Sequence, residues 1–230
     1  MKKSVLFTIA AIFLLIPITL YLGTILPGRS YYITGTLIAI YVLIPFFLSF
    51  EGRRPQAREL VVVAVMCALA VASRGIFAFL PNFKPMYAII IIAGITFGME
   101  TGFLVGAVTA FASNFLFGQG PWTPWQMMAY GICGCVAGLV YGKKRLSRDP
   151  LTLAIFGFVT VLFIVCPLLD TCTVFTGLSV YSAQSVLSVY LAGILANVLQ
   201  ATATFVTLLL LSKPLLSKLD RVTQKFGFMQ

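Results

Sequence analysis

Long apolar stretches separated by short polar segments dominate this chain. They cover approximately residues 4–26, 31–50, 59–80, 86–118, 124–142, 151–169 and 186–212. A helix needs about 20 apolar residues to cross the hydrocarbon core of a bilayer, and every stretch except 86–118 suits one crossing. The pattern therefore predicts an all-α fold, a polytopic membrane helical bundle.

The basic residues indicate how the stretch 86–118 is arranged. Thirteen of the 16 Lys and Arg residues fall into four clusters, and short cytoplasmic loops collect such residues. The clusters are Lys2-Lys3, Arg53-Arg54-Arg58, Lys143-Lys144-Arg145-Arg148 and Lys213-Lys218-Arg221-Lys225. All four lie in the cytoplasm only if 86–118 crosses twice, reversing between Gly98 and Gly102 near Glu100. This arrangement predicts eight transmembrane helices with both termini cytoplasmic.

The most polar linker, Glu51 to Glu59, divides the chain. Residues 1–56 form a predicted two-helix N-terminal extension with its linker, and residues 57–230 form a six-helix core with a basic cytoplasmic tail. The first stretch follows Lys2-Lys3, as in a signal peptide, but it is long and lacks a clear small-residue cleavage site. We therefore expect it to be a retained anchor.

Composition excludes several classes of function. Because 60% of its residues are hydrophobic and its mean hydropathy is +1.03, we expect the chain to be an integral membrane protein. The net charge of +10 lies at the ends of apolar stretches, which favours contacts with anionic lipids over nucleic acid. There is no histidine, and the five cysteines are scattered, so we expect no metal site, no cofactor and no His-dependent catalysis.

Two segments stand out on the predicted outer side, residues 74–85 and 118–127. The second is rich in Gly and Pro and contains both tryptophans, Trp122 and Trp125, between Gln119 and Gln126. Tryptophans often anchor a protein at the membrane interface. Two of them beside amides in a stiff loop also suit a lid over a ligand, because flat rings cover apolar area while amides orient polar edges.

Polar side chains at membrane depth are further candidates for a binding pocket. Arg74 is predicted about six residues, or roughly 9 Å, inside the outer end of its helix, where it must pair, snorkel outward or face a polar cavity. Asn114 and Asn197 either tie helices together or contact a ligand. Phe83 adds an aromatic ring to the outer side, and Tyr130 is a candidate deeper in the core.

Small residues repeat every four positions in several helices. Ala64, Ala68 and Ala72 make one face of their helix nearly flat, which permits close approach of a second helix. That second helix belongs either to the same chain or to an external partner. The series Gly94, Gly98, Gly102, Gly106 and the series Gly134, Gly138, Gly142 are expected to serve packing within the chain.

The six-helix core, residues 57–212, resembles an S component of the energy-coupling-factor (ECF) vitamin transporters. The alanine stripe, the two outer loops and the stretch from Gly98 through Gly102, Phe103 and Gly106 into FGQGPWTPWQM carry the resemblance. It implies a substrate-binding subunit without catalytic activity, located in the cell membrane of a bacterium. The expected partners are an ECF transmembrane coupling protein, docked on the alanine face, and two ATP-binding-cassette ATPases. The two N-terminal helices depart from the family's six-helix plan.

The substrate is expected to be a vitamin or related micronutrient. The resemblance is greatest to the cobalamin subgroup, whose ligand carries several amides. Another vitamin or precursor, such as a flavin, a folate or a queuosine precursor, is the alternative. An intramembrane enzyme and a membrane assembly protein are competing classes, although Glu100 and Asp170 are predicted on opposite sides of the membrane and so do not form a catalytic acid pair.

Overall fold

The computed structural model describes residues 14–15, 18–19, 30–52, 57–142, 147–178 and 181–226, and these residues are helices joined by short turns. Most of the predicted first helix and the basic residues Lys2-Lys3, Arg53-Arg54 and Lys143-Lys144-Arg145 lie outside them. The helices are α1 (Ser30–Gly52), α2 (Ala57–Ile76), α3 (Met86–Phe97), α4 (Met99–Phe117), α5 (Trp122–Tyr141), α6 (Pro150–Thr160), α7 (Cys166–Gly177) and α8 (Ala183–Phe226).

The described residues contain four helical segments that are long and apolar enough to cross a membrane. These are Glu59–Ile76, Met99–Phe117, Pro150–Gly177 and Ala183–Gln224. The third joins α6 to α7 through a π-helical turn, Val161–Val165, and forms one continuous segment. The all-helical membrane fold is thus confirmed, while the number of eight crossings and the side of the termini stay predictions.

The stretch 86–118 reverses direction at one residue, Gly98. Its φ of 88° is a conformation that side chains with a Cβ rarely adopt, and it ends α3 and precedes α4. A Cβ on Gly102 would lie 2.6 Å from the Cα of Gly94, so the residues on either side of the turn meet. The predicted reversal is confirmed. However, α3 has only 12 residues, or about 18 Å, which is shorter than a bilayer core of about 30 Å.

Glycines hold α3, α4 and α5 together at backbone distance. A Cβ on Gly94, Gly102 or Gly134 would overlap backbone atoms of the facing helix, and a Cβ on Gly138 would lie 2.5 Å from the carbonyl carbon of Gly98. These members of the two glycine series therefore serve packing within the chain. As a result α3 is enclosed, with Tyr87 and Ile91 fully buried.

Helix α1, from the N-terminal extension, packs against α4, α5 and α7. A Cβ on its Gly35 would lie 2.9 Å from the ring of Trp125. The described part of the extension is therefore packed onto the core.

At the predicted cytoplasmic end, Arg148 joins α8 to α3. Its guanidinium lies 3.3 Å from the carboxylate of Asp220 and donates to the carbonyl oxygen of Ile95 at 3.3 Å.

Candidate functional site

A polar cavity of about 390 Å³ lies between α5, α7, α8 and Lys84, which precedes α3. Its walls carry a lysine, an aspartate and several amides. The lining residues are Lys84, Trp122, Gln126, Leu169, Asp170, Cys172, Thr173, Thr176, Gly193, Ala196, Asn197 and Gln200. Charged and amide groups at this position cost free energy in a membrane protein, so they indicate a functional site.

Asp170 and Asn197 form the acceptor pair on one side of the cavity. The Asn197 amide Nδ2 donates to Oδ2 of Asp170 at 2.7 Å. Gly193, one turn earlier on α8, makes room for them, because a Cβ there would lie 2.9 Å from Oδ1 and 3.1 Å from Oδ2 of the carboxylate. Oδ1 of Asp170 has no hydrogen-bond partner among the described residues, so it can accept from a ligand.

Lys84 and Gln200 form the donor pair. Oε1 of Gln200 accepts from the Lys84 ammonium at 3.3 Å and from the Tyr87 hydroxyl at 3.1 Å. An ammonium group can only donate, so this contact directs the Gln200 oxygen toward Lys84. The Gln200 Nε2 group then has no partner within the described part of the chain and is a free donor at the cavity wall.

Asn114 organises a hydrogen-bond network beside the cavity. It is 1% exposed, donates to Oε1 of Gln126 at 2.8 Å and to the Thr123 hydroxyl at 3.1 Å, and accepts from Arg74 at 3.1 Å. The Thr123 hydroxyl in turn donates to Oε1 of Gln119 at 2.9 Å. This network orients Gln126, whose side chain lines the cavity.

Arg74 is held by groups outside the cavity. It donates to the Ser113 hydroxyl and to Asn114, and its guanidinium lies 4.4 Å from the centre of the Phe117 ring. The predicted depth of six residues is wrong, because α2 ends at Ile76 and places Arg74 in its last turn. Polar partners and a cation–π contact therefore satisfy this charge near the helix end.

The two tryptophans occupy different environments. Trp122 is 42% exposed and lines the cavity, whereas Trp125 is 5% exposed and stacks on Phe175 with ring centres 5.6 Å apart. Both lie in the first turns of α5, so the predicted loop extending to Met127 is wrong. Pro121 immediately precedes the helix, and proline is tolerated there because the first turn's N–H groups have no partner within the helix.

The remaining predicted site residues lie away from the cavity wall. Phe83 packs on Phe77 with ring centres 5.3 Å apart, and Tyr130 is fully buried edge-on against Tyr87 at 5.2 Å. Of the nine predicted substrate-binding residues, the cavity is lined by Trp122, Gln126 and Asn197. Lys84, Asp170 and Gln200 also line the cavity and were not among the predicted residues, although each is a polar group in or beside an apolar stretch.

The alanine stripe is exposed along α2. Ala64, Ala68 and Ala72 are all accessible, as are the neighbouring Val65 and Leu69. Unlike the glycine series, this face has no helix of the described chain packed on it. It remains a candidate for docking a partner.

Comparisons with known proteins identify the family to which the chain is similar. The sequence model of the family described as "ECF-type riboflavin transporter, S component" matches residues 55–217. A UPF0397 protein of Vibrio atlanticus (strain LGP32) is 31% identical over 115 residues, which are 46% of this chain and 62% of that protein. The matched part thus spans less than two thirds of the relative's length. No solved structure gives a significant match.

Proposed function

This chain belongs to the family of ECF-type riboflavin transporter S components, and we propose that its polar cavity binds the substrate of an ECF-type importer. As a member, it is a multi-pass membrane subunit of a transporter and not an enzyme. The family match covers the predicted six-helix core and leaves out α1. Substrate, partners and the bacterial cell membrane as location belong to the proposal.

The observation that carries the proposal is the cavity itself. Lys84 and Asp170 both line it but form no ion pair with each other. Leaving opposite charges unpaired inside a membrane protein is costly unless a ligand or water satisfies them. Trp122 adds a partly exposed aromatic surface at the wall, which suits contact with a planar ring.

The size of the cavity favours one small heterocycle. Pockets for drug-sized ligands measure about 300–1,000 Å³, and 390 Å³ lies near the lower end of that range. A flavin or another bicyclic or tricyclic vitamin or precursor suits this volume. A corrinoid such as cobalamin, expected from the subgroup resemblance, would require α7 and α8 to separate from Trp122. We therefore propose the smaller class of substrate.

The exposed alanine face of α2 supports the proposal of a partner. A flat helix face permits close contact with another transmembrane helix, here that of the ECF coupling protein carried by two ABC ATPases. In this arrangement ATP hydrolysis takes place in the partner subunits. The substrate cavity and the docking face use different helices, so binding and docking can be tested separately.

Purification of the tagged chain from native membranes tests the proposal. We expect one coupling protein and two ATPases to co-purify, and proteoliposomes containing this complex to take up a vitamin in an ATP-dependent manner. A chain that binds neither these subunits nor a small molecule would instead be an assembly protein. Conversion of the bound compound into a product by the isolated chain would indicate an intramembrane enzyme.

A further inference from the structure

The acceptor pair and the donor pair are arranged in sequence along one face of α8. Asn197 precedes Gln200 by three residues, so the two amides lie on the same face about 4.5 Å apart along the helix axis. Asp170 meets this face at Gly193 and Asn197, and Lys84 meets it at Gln200. The wall therefore presents hydrogen-bond acceptors at one end and donors at the other.

The two charges at this wall cancel. Lys84 contributes one positive charge and Asp170 one negative charge, and both are fixed by amides of α8 at 3.3 Å and 2.7 Å. A ligand with a net charge would leave one of them uncompensated at the partly buried wall, at a cost in free energy. The complementary ligand is neutral or zwitterionic, with donors toward Asp170 and an acceptor toward Lys84.

We infer that the site selects a planar ring with a donor–donor–acceptor edge, the edge of a 2-amino-4-oxopyrimidine fused to a second ring. This inference rests on the proposed function and names the substrate class of the same cavity. The exocyclic amine and the ring N–H donate to the carboxylate of Asp170, which can accept two parallel hydrogen bonds. The ring carbonyl accepts from Lys84 and from Nε2 of Gln200. The fused ring then lies toward Trp122.

The alternative edge of the same size is a pyrimidinedione, as in a flavin. It places a carbonyl oxygen where the exocyclic amine would be, so an acceptor of the ligand faces the Asp170 carboxylate. A site that hydrogen-bonds one polar group discriminates strongly against an analogue that lacks it, because its own buried group is left unpaired. The two edges therefore differ in affinity even when the rings have the same shape.

Pterin and lumazine test the inference directly, because they share a ring system and differ at position 2 by an amine or a carbonyl. We expect the purified chain to bind pterin at least about tenfold more tightly than lumazine, measured by calorimetry or by quenching of tryptophan fluorescence. Equal affinity, preference for lumazine, or no measurable binding of either would overturn the inference.

Two conservative variants locate the discrimination. Asp170→Asn keeps the shape but replaces an acceptor by a donor, so the pterin-to-lumazine ratio should fall to about one or invert. Lys84→Gln should weaken the binding of both compounds by a similar factor, because both carry the 4-carbonyl. Asp220→Asn and Lys213→Gln, the matched changes at the cytoplasmic end, should leave both affinities unchanged. An equal loss of affinity for pterin and for lumazine in Asp170→Asn would indicate that Asp170 has a structural role only and would contradict the inference.

The same preparations separate this inference from the proposed function. If the chain still co-purifies with a coupling protein and two ATPases but prefers lumazine, the edge assignment is wrong and the transporter assignment stands. If neither the partners nor any small molecule is found with the chain, the proposed function fails as well.

Discussion

The two tryptophans of α5 are three residues apart and yet have different roles. Trp122 lines the cavity, while Trp125 points to the opposite neighbours, Phe175 of α7 and Gly35 of α1. The spacing of three residues does not place them on one common surface, because the second ring is enclosed by α1. Only the first ring is available to a ligand.

Replacement of each tryptophan separately should therefore give different results. Trp122→Ala removes an aromatic surface at the cavity and should cost ~2 kcal/mol of binding, about thirtyfold in affinity, with an unchanged melting temperature. Trp125→Ala creates a cavity between α1, α5 and α7 and should destabilise the fold by about 3 kcal/mol. Ligand titration and thermal unfolding of the purified variants measure the two effects. An affinity unchanged in Trp122→Ala would make that residue an interface anchor.

For the individual residues of the cavity, the sequence predicts the types of residue better than their positions. Trp122, Gln126 and Asn197 were predicted as substrate-binding residues, because an amide or a large ring beside an apolar stretch needs a reason to be there, and all three line the cavity. Asp170 and Lys84 are 86 positions apart in the sequence, and nothing local indicates that α8 brings them to one wall. Arg74 was selected for its apparent depth, which depended on a helix end that the structure moves to Ile76.

Among the helices, the contact between α4 and α5 depends on the absence of side chains. A Cβ on Gly134 would lie 3.0 Å from the Cα of Gly102 and would overlap that residue's carbonyl group, and backbone cannot move aside as a flexible side chain can. This contact supports α3 as well, because a Cβ on Gly94 would overlap the carbonyl oxygen of the same Gly134. This glycine seam, formed by Gly94, Gly102 and Gly134, therefore holds α3, α4 and α5 together.

We predict that Gly134→Ala destabilises the protein by about 1–3 kcal/mol or more, since the helices must separate to admit the methyl group. Gly75→Ala is the matched control, because a Cβ there has nothing within 4 Å and the residue lies in the last turn of α2. It should be neutral or slightly stabilising. Thermal unfolding in detergent compares them, and equal melting temperatures would refute the role given to the seam.

Helix α2 differs from the glycine seam because its small residues face outward. We predict that Ala68→Leu abolishes co-purification of the coupling protein and transport, since a larger side chain prevents close helix approach, while ligand binding by the isolated chain is retained. Ala192→Leu, an exposed alanine of α8 changed in the same way, is the control and should retain all three. Full transport by Ala68→Leu would exclude this face as the docking surface.

The presence of the helices could be predicted from the length of the apolar stretches, but the positions at which the helices begin and end could not. The reversal at Gly98 was predicted because glycines and Glu100 interrupt an apolar stretch that is too long for one crossing. The shortness of α3 was not predicted, since its 12 residues are stabilised by surrounding helices and not by their own length. The start of α5 was missed because Pro121 was interpreted as a loop residue, whereas it immediately precedes the helix.

The orientation of the whole molecule rests on its basic residues. The segment between α2 and α3 is predicted to face outward, and the segment before α6 to face the cytoplasm. Phe79, 75% exposed, reports on the first side, and the exposed Ser147 reports on the second. Thr123 is a poor reporter of the outer side, because it is 7% exposed and held by Asn114.

We predict that Phe79→Cys is labelled by an impermeant thiol reagent applied to intact cells, and that Ser147→Cys is labelled only after the membrane is opened. Four of the five native cysteines, Cys67, Cys133, Cys166 and Cys172, are buried, so the background from native thiols should come from the partly exposed Cys135 and is measured in the unchanged protein. The opposite pattern would place the cavity's mouth on the cytoplasmic side and contradict the topology.

The proposed function requires that the cavity between α5, α7 and α8 holds a small molecule. Mass spectrometry of compounds released from the chain after purification from native membranes tests it most directly. We expect one neutral or zwitterionic heterocycle in near-stoichiometric amount in the unchanged protein, and far less in Trp122→Ala and Asp170→Asn purified in parallel. A folded chain that releases no such compound, or equal amounts from all three proteins, would contradict it.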